Sequence, residues 1–218
     1  MKYLFIPVLF ILLNAGKPVT GQAIRDVDGN YYSSVGIGSQ IWLAENLKTT
    51  RFNDGTLIPL VTDEKKWKEM RSPAYCWLEN NESNKNIYGA LYNWYAVKTN
   101  KLCPKGWHVP SAGEWDMMVA QLGGEKIAGE KLKEEGNEHW KGSFSTSTNE
   151  YGFTALPGGM RFESGNFPVF SKSYGVWWTT SSYSTYYAWN RGMYFSNGNI
   201  YRGHDNVRNG YSVRCIKD

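Results

Sequence analysis

Residues 109–124, VPSAGEWDMMVAQLGG, decide the reading of the fold. Ser111, followed three positions later by Glu114, is the S-x-x-E capping box that opens a helix. Trp115, Met118 and Leu122 then recur on one helical face. Gly123-Gly124 stops the helix, because glycine tolerates the left-handed backbone at a helix end.

Working upstream, residues 24–43 (IRDVDGNYYSSVGIGSQIWL) predict a hairpin that turns at Asp28-Gly29. Asn53-Asp54-Gly55 marks a further turn. Residues 62–70 predict one short helix with Thr62 as its N-cap. Residues 90–97 (ALYNWYAV) space their apolar side chains as a helix does. Working downstream, residues 126–135 predict a polar, half-exposed helix. Beyond residue 143 helical periodicity stops, and Gly, Asn, Ser and aromatics dominate. Ser196-Asn197-Gly198-Asn199 predicts a type I′ hairpin. Residues 211–216 (YSVRCI) predict a closing strand with Tyr211, Val213 and Cys215 on one face. Strands, then helices, then strands imply an α+β domain rather than a doubly wound sheet. Neither a repeat nor a linker interrupts residues 22–218, which read as one domain.

Composition agrees. The chain has 218 residues, only 20% of them charged, and 16% aromatic, including ten Trp and fifteen Tyr. Such apolar content excludes disorder, and the scarcity of charge excludes a coiled coil. A net charge of +4 is too small to argue for nucleic acid. The chain opens MKYLFIPVLFILLNAGKPVTGQA, with Lys2 before eleven uninterrupted apolar residues. Eleven are too few to span a bilayer, and small residues follow, so residues 1–21 read as a secretory signal peptide cut after Gly21. Export to a periplasmic, outer-surface or secreted location is expected, and no transmembrane segment. In that setting disulfides persist. Cys76, Cys103 and Cys215 allow at most one intrachain bridge, and their sequence positions do not choose the pair.

Seven motifs carry a resemblance: IWLAENLKTTRFNDGTLIPLV, AYCW, YGALYNWYAV, CPKGWHVPSAGEWDMM, GFTALPGG, YGVWWTTS and GYSVRCIKD. In this order they resemble the Fibrobacter succinogenes major paralogous domain, known chiefly from exported proteins of Bacteroidetes and Fibrobacter lineages. That family is similar to the formylglycine-generating-enzyme branch of the C-type lectin-like fold. The resemblance implies paired N- and C-terminal strands, short helices, irregular loops and antiparallel hairpins. It further implies a Cys103–Cys215 bridge with Cys76 left as the free thiol. Closing a loop of about 110 residues would contribute on the order of 4–5 kcal/mol in the chain-entropy picture.

The candidate site lies in residues 174–211. This stretch holds eleven aromatics, five Asn, five Gly and three Arg, without Lys or Glu. Binding loops use this mixture: Tyr and Trp give rigid contact area, while Asn, Ser and Gly give adaptable hydrogen bonds. The expected ligand-binding residues are Trp178, Tyr183, Tyr186, Trp189, Arg191, Tyr194, Asn197, Asn199, Tyr201 and Arg202. Strand alternation would send about half of the aromatics inward, and of the adjacent Trp177 and Trp178 one is expected to face out. The ligand class is a glycan or a protein; a structural or self-assembling surface protein is the alternative.

Catalysis is not expected. A formylglycine-generating-like enzyme needs a cysteine pair near the C-terminal site, and only Cys215 is there. His108, His139 and His204 are far apart in sequence; His108 reads as structural, and His204-Asp205 reads as a loop tip that binds ligand or nothing. Glu45, Asp54, Glu114 and Asp116 would suit a carbohydrate-active enzyme by residue type alone, and Glu114 is explained by the capping box. No metal and no cofactor are expected. Calcium-dependent sugar motifs are absent, and Trp189-Asn190-Arg191 puts a cation where a ligating Asp would stand.

Overall fold

The computed structural model describes residues 23–140 and 146–218. The expected signal peptide and its cleavage site, residues 1–21, lie outside the described residues. Few short helices and antiparallel sheets make up an α+β arrangement.

Residues 109–124 fold as expected. Helix α4 (Ala112–Gln121) starts at Ser111, whose hydroxyl accepts from Glu114 N–H while the Glu114 carboxylate accepts from Ser111 N–H. Trp115, Met118 and Leu122 are all buried. Gly123 and Gly124 both take positive φ and end the helix.

The N-terminal region makes two hairpins where one was predicted. Strand β1 (Ile24–Arg25) pairs with β2 (Tyr31–Tyr32), turning at Gly29. Strand β3 (Ser34–Ile37) then pairs with β4 (Gln40–Leu43), turning at Gly38. The second strand of the second hairpin meets the chain terminus. β11 (Ile216–Lys217) lies between β4 and β7 (Trp107–His108) in a four-stranded sheet. The closing segment 211–215 runs on along the chain through Leu43 N–H to Cys215 O and Leu47 N–H to Val213 O.

Two helix predictions shift for local reasons. Helix α1 (Glu64–Glu69) is capped by Asp63, whose carboxylate accepts from Lys66 N–H at 2.7 Å. Thr62 is not the cap; its carbonyl is held by Asn80 and Arg161. Helix α2 (Lys85–Tyr88) precedes residues 90–97, which divide. Ala90–Tyr92 form β6 and pair with β5 (Tyr75–Trp77), and only Trp94–Val97 form the helix α3, capped by Asn93. Ala90, Leu91 and Tyr92 are all buried, and a short run apolar on every face does not distinguish strand from helix. The polar stretch 126–135 contains α5 (Ala128–Leu132), which buries Ala128, Gly129 and Leu132.

Seven of the ten tryptophans are buried and none is exposed. The Trp excess is therefore core. One cluster gathers Trp42, Trp115, Trp177 and Phe153; another gathers Trp77, Tyr92, Trp178 and Tyr211. Cys103 and Cys215 are bonded, as the resemblance implied, with Cα atoms 6.1 Å apart and a sequence separation of 112. Cys76 is free and buried, and burial pushes its thiol up to about 12 against the opposing Arg161 guanidinium, so it is inert at neutral pH. Arg214 is buried in the core and donates to Asn46 Oδ1 and to the carbonyls of Leu43, Phe153 and Thr154. Burial lowers its pKa to about 9. His108 sits between Glu114 Oε1 (2.8 Å) and Asp218 Oδ1 (2.6 Å), fastening the terminus to the capping box. Burial works against its protonation, but these two carboxylates outweigh it and raise the pKa.

Candidate functional site

Strands β8 (Tyr174–Ser182), β9 (Tyr187–Tyr194) and β10 (Ile200–Asn206) form a three-stranded antiparallel sheet with β9 in the middle. Residues 109–124 brace this sheet. Thr180 N–H donates to Pro110 O, and Ala112 N–H donates to Ser181 Oγ. Both contacts fall where the β8–β9 register shifts, between Trp178 and Ser182.

The register assigns each side chain a face. Trp177, Arg191 and Arg202 are opposite one another across the three strands, as are Trp178, Asn190 and Gly203. Alternation holds, so Trp177 and Trp178 point to opposite faces. Both are nevertheless 0% exposed. Trp177 packs towards Trp115 of α4 (6.3 Å), and Trp178 stacks near Tyr211 (4.4 Å). The expectation that one of them faces solvent is corrected: a core covers each face of β8. Trp178 is no part of a surface.

Arg191 is corrected in the same way. It is 1% exposed and bound by Asp116 of α4 and by Glu125 (2.9 Å). Burial and the neighbouring Arg202 lower its pKa to about 10. An arginine committed to two carboxylates braces α4 against the sheet and has little left to offer a ligand.

The remaining expected residues separate into two patches at opposite ends of the sheet. Tyr187 and Tyr194, at the two ends of β9, are about 23 Å apart at the strand rise of ~3.3 Å per residue.

The first patch lies at the β8–β9 tip. Tyr183 and Tyr186 are 52% and 67% exposed. Tyr183 stacks flat on His204 with ring centres 3.9 Å apart, and Trp189 stands edge-on to both at 5.1 and 5.6 Å. Arg202 lies over the Trp189 ring at 4.1 Å and touches Asp116 at 3.4 Å. Tyr187 completes the group, exposed and edge-on to His204.

The second patch lies at the β9–β10 loop. Tyr201 is 5.0 Å from Tyr194, which is 6.1 Å from Tyr174. The Asn197 and Asn199 amides both donate to the Tyr201 hydroxyl. The loop does not make the expected type I′ turn, because neither Asn197 nor Gly198 has positive φ. It is shaped by α5 instead. Glu130 N–H donates to Gly198 O, and buried Lys133 donates to the carbonyls of Tyr194 and Asn197. A Cβ at Gly129 would come within 2.6 Å of Gly198 O, so only glycine allows this approach.

Sequence reasoning missed Tyr187, and the loop tip it expected at His204-Asp205 is instead the middle of β10, where His204 pairs with Trp189. The composition of 174–211 contained both, but which rings cluster depends on the cross-strand register. Away from the sheet, Glu134, Glu138 and His139 bring three potential metal-donor atoms within 4.8 Å of one another. His139 Nδ1 is engaged by Glu134 Oε1 at 2.7 Å.

Mixed helices and antiparallel sheets, closed by a terminal disulfide, define a disulfide-bridged α+β protein with an aromatic-tipped sheet. The chain belongs to the Fibrobacter succinogenes major domain family, whose pattern it matches over residues 35–217. No curated protein and no solved structure matches it. Among the described residues no helix is long and apolar enough to cross a membrane.

Proposed function

We propose that this chain is an exported binding module, cell-surface or secreted, whose β8–β9 tip meets a glycan or a protein ligand. In this reading the C-type lectin-like, formylglycine-generating-enzyme-like architecture serves as a rigid scaffold and not as a catalyst. The observation that carries the reading is the distribution of aromatics. Seven of the ten tryptophans are buried in the core, whereas five of the six exposed tyrosines among the described residues follow residue 182. Three of those, Tyr183, Tyr186 and Tyr187, gather at one tip beside Trp189, Arg202 and His204. Exposed tyrosine on a braced strand end gives contact area at little entropic cost. The disulfide fits a protein that works outside the cytoplasm.

The test is binding of the full chain to a glycan array and, separately, to immobilised cell-surface extract. The Tyr186→Ala/Trp189→Ala double variant should lose at least about tenfold in apparent affinity. Wild-type binding by that variant, with its melting temperature unchanged, would remove the tip from the site.

A further inference from the structure

The sheet that carries the tip is closed on one side and open on the other. On the closed side, β8 is covered by the chain's own return: Trp178 N–H donates to Ser212 O, and Ser212 N–H to Val176 O. The open side is β10. Its pairing with β9 runs unbroken from Ile200 to Asn206. Val207 N–H donates to Tyr186 O, so 207 and, by alternation, 205, 203 and 201 turn their backbone groups towards β9. Ile200 N–H turns the other way and is taken by Glu125 O. The N–H and C=O groups of Arg202 and His204 therefore point outward, and among the described residues nothing covers them. Edge strands are commonly blunted by lysine, proline or a bulge, and β10 has none of these.

We propose that β10 is a docking edge for an extended acidic polypeptide segment of a partner protein, which adds as a fourth strand beside Arg202 and His204. The proposal rests on the tip being the binding surface, and it names the ligand class there. Backbone pairing supplies the ladder, and every second side chain of the guest lands on the face that holds Trp189, Arg202 and His204. Arg202 is exposed, and Asp116 reaches it only at 3.4 Å, so its guanidinium has donors left for a guest carboxylate.

A second copy of this chain fits less well. In antiparallel pairing of β10 with itself, outward residues face outward residues. Arg202 then stands opposite Ile200, Arg202, His204 or Asn206 of the other copy's strand, none of which carries a carboxylate. Asp205 projects from the opposite face and is bonded to Asn190 at 2.8 Å.

The probe is an end-capped eight-residue peptide alternating Glu and Val, titrated against the full chain by fluorescence anisotropy. It should bind, and a Lys–Val counterpart should bind at least about tenfold more weakly. Two N-methylated versions, blocked at alternate amides, should separate: one keeps its affinity and the other loses about tenfold, since only one set of amides faces β10. His204→Pro should weaken binding more than His204→Ala, because proline also removes an outward N–H. Equal binding by both N-methylated peptides, or by the Lys–Val peptide, overturns strand addition. So does a concentration-dependent dimer with new amide protection along β10. Should no peptide bind while Tyr186→Ala/Trp189→Ala still abolishes capture on the glycan array, strand docking falls and the tip reading stands. Peptide binding that the double variant leaves untouched would count against the tip instead.

Discussion

The two ends of the β8–β9–β10 sheet contain the same residue types and are held in different ways. At the loop end, Tyr194 and Tyr201 sit on a segment clamped from below by Lys133, by Glu130 N–H and by the close approach of Gly129. The tyrosine hydroxyl there is already satisfied by Asn197 and Asn199. At the tip, Tyr183 and Ser184 N–H groups both donate to Tyr187 O, and the side chains beyond project into solvent. Composition places binding-type residues at both ends. The contacts beneath show that one end spends its polar groups on its own structure and the other keeps them available.

The largest expected effect concerns the frame common to both ends. Replacing Cys103 and Cys215 together by Ala should cost about 4–5 kcal/mol, read as a fall in the denaturant midpoint. Both ends should loosen together; loss of order at one end alone would break the comparison. Trp178→Ala should cost about 3–5 kcal/mol in the same assay, because it empties a site packed on Tyr211. A cost near zero would return Trp178 to the surface.

Lys133→Met separates the ends. It leaves the Tyr194 and Asn197 carbonyls without their donor and should cost about 1–3 kcal/mol. Amide exchange should quicken over residues 194–199 and stay unchanged over 183–187. Tyr186→Ala, by contrast, should change stability by less than about 0.5 kcal/mol, as exposed positions do. The smallest effect is at His108. Its raised pKa means that the folded protein holds the proton more tightly than the unfolded chain. That stabilisation is complete below about pH 6.5 and fades as pH rises through the raised value. His108→Gln should flatten this part of the stability–pH curve, and an unaltered slope would show the clamp to be idle.

Much of the frame was legible in the sequence. Ser111, Glu114 and the Trp115–Met118–Leu122 face are local signals, and local signals need no partner to be read. The bridge between Cys103 and Cys215 came from family resemblance and not from spacing. What escaped was set by distant contacts. Alternation placed Trp177 and Trp178 on opposite faces, but it could not say that both faces are covered. Arg191 looked like a surface arginine until Asp116, 75 residues away, was found against it. The residues 90–92 lost their helix to a ladder with β5 and to Tyr211, again partners far along the chain. The single expected surface became two patches because strand length, hidden in the composition, keeps the tip and the loop apart.

Tyrosine footprinting tells the tip from the loop in one experiment. The full chain is acetylated at its accessible tyrosines, first alone and then bound to immobilised cell-surface extract. Tyr183, Tyr186 and Tyr187 should react in the free protein and be shielded when bound, while Tyr194 and Tyr201 react in both states. Shielding of Tyr194 and Tyr201 with Tyr183 and Tyr186 left reactive would contradict binding at the tip.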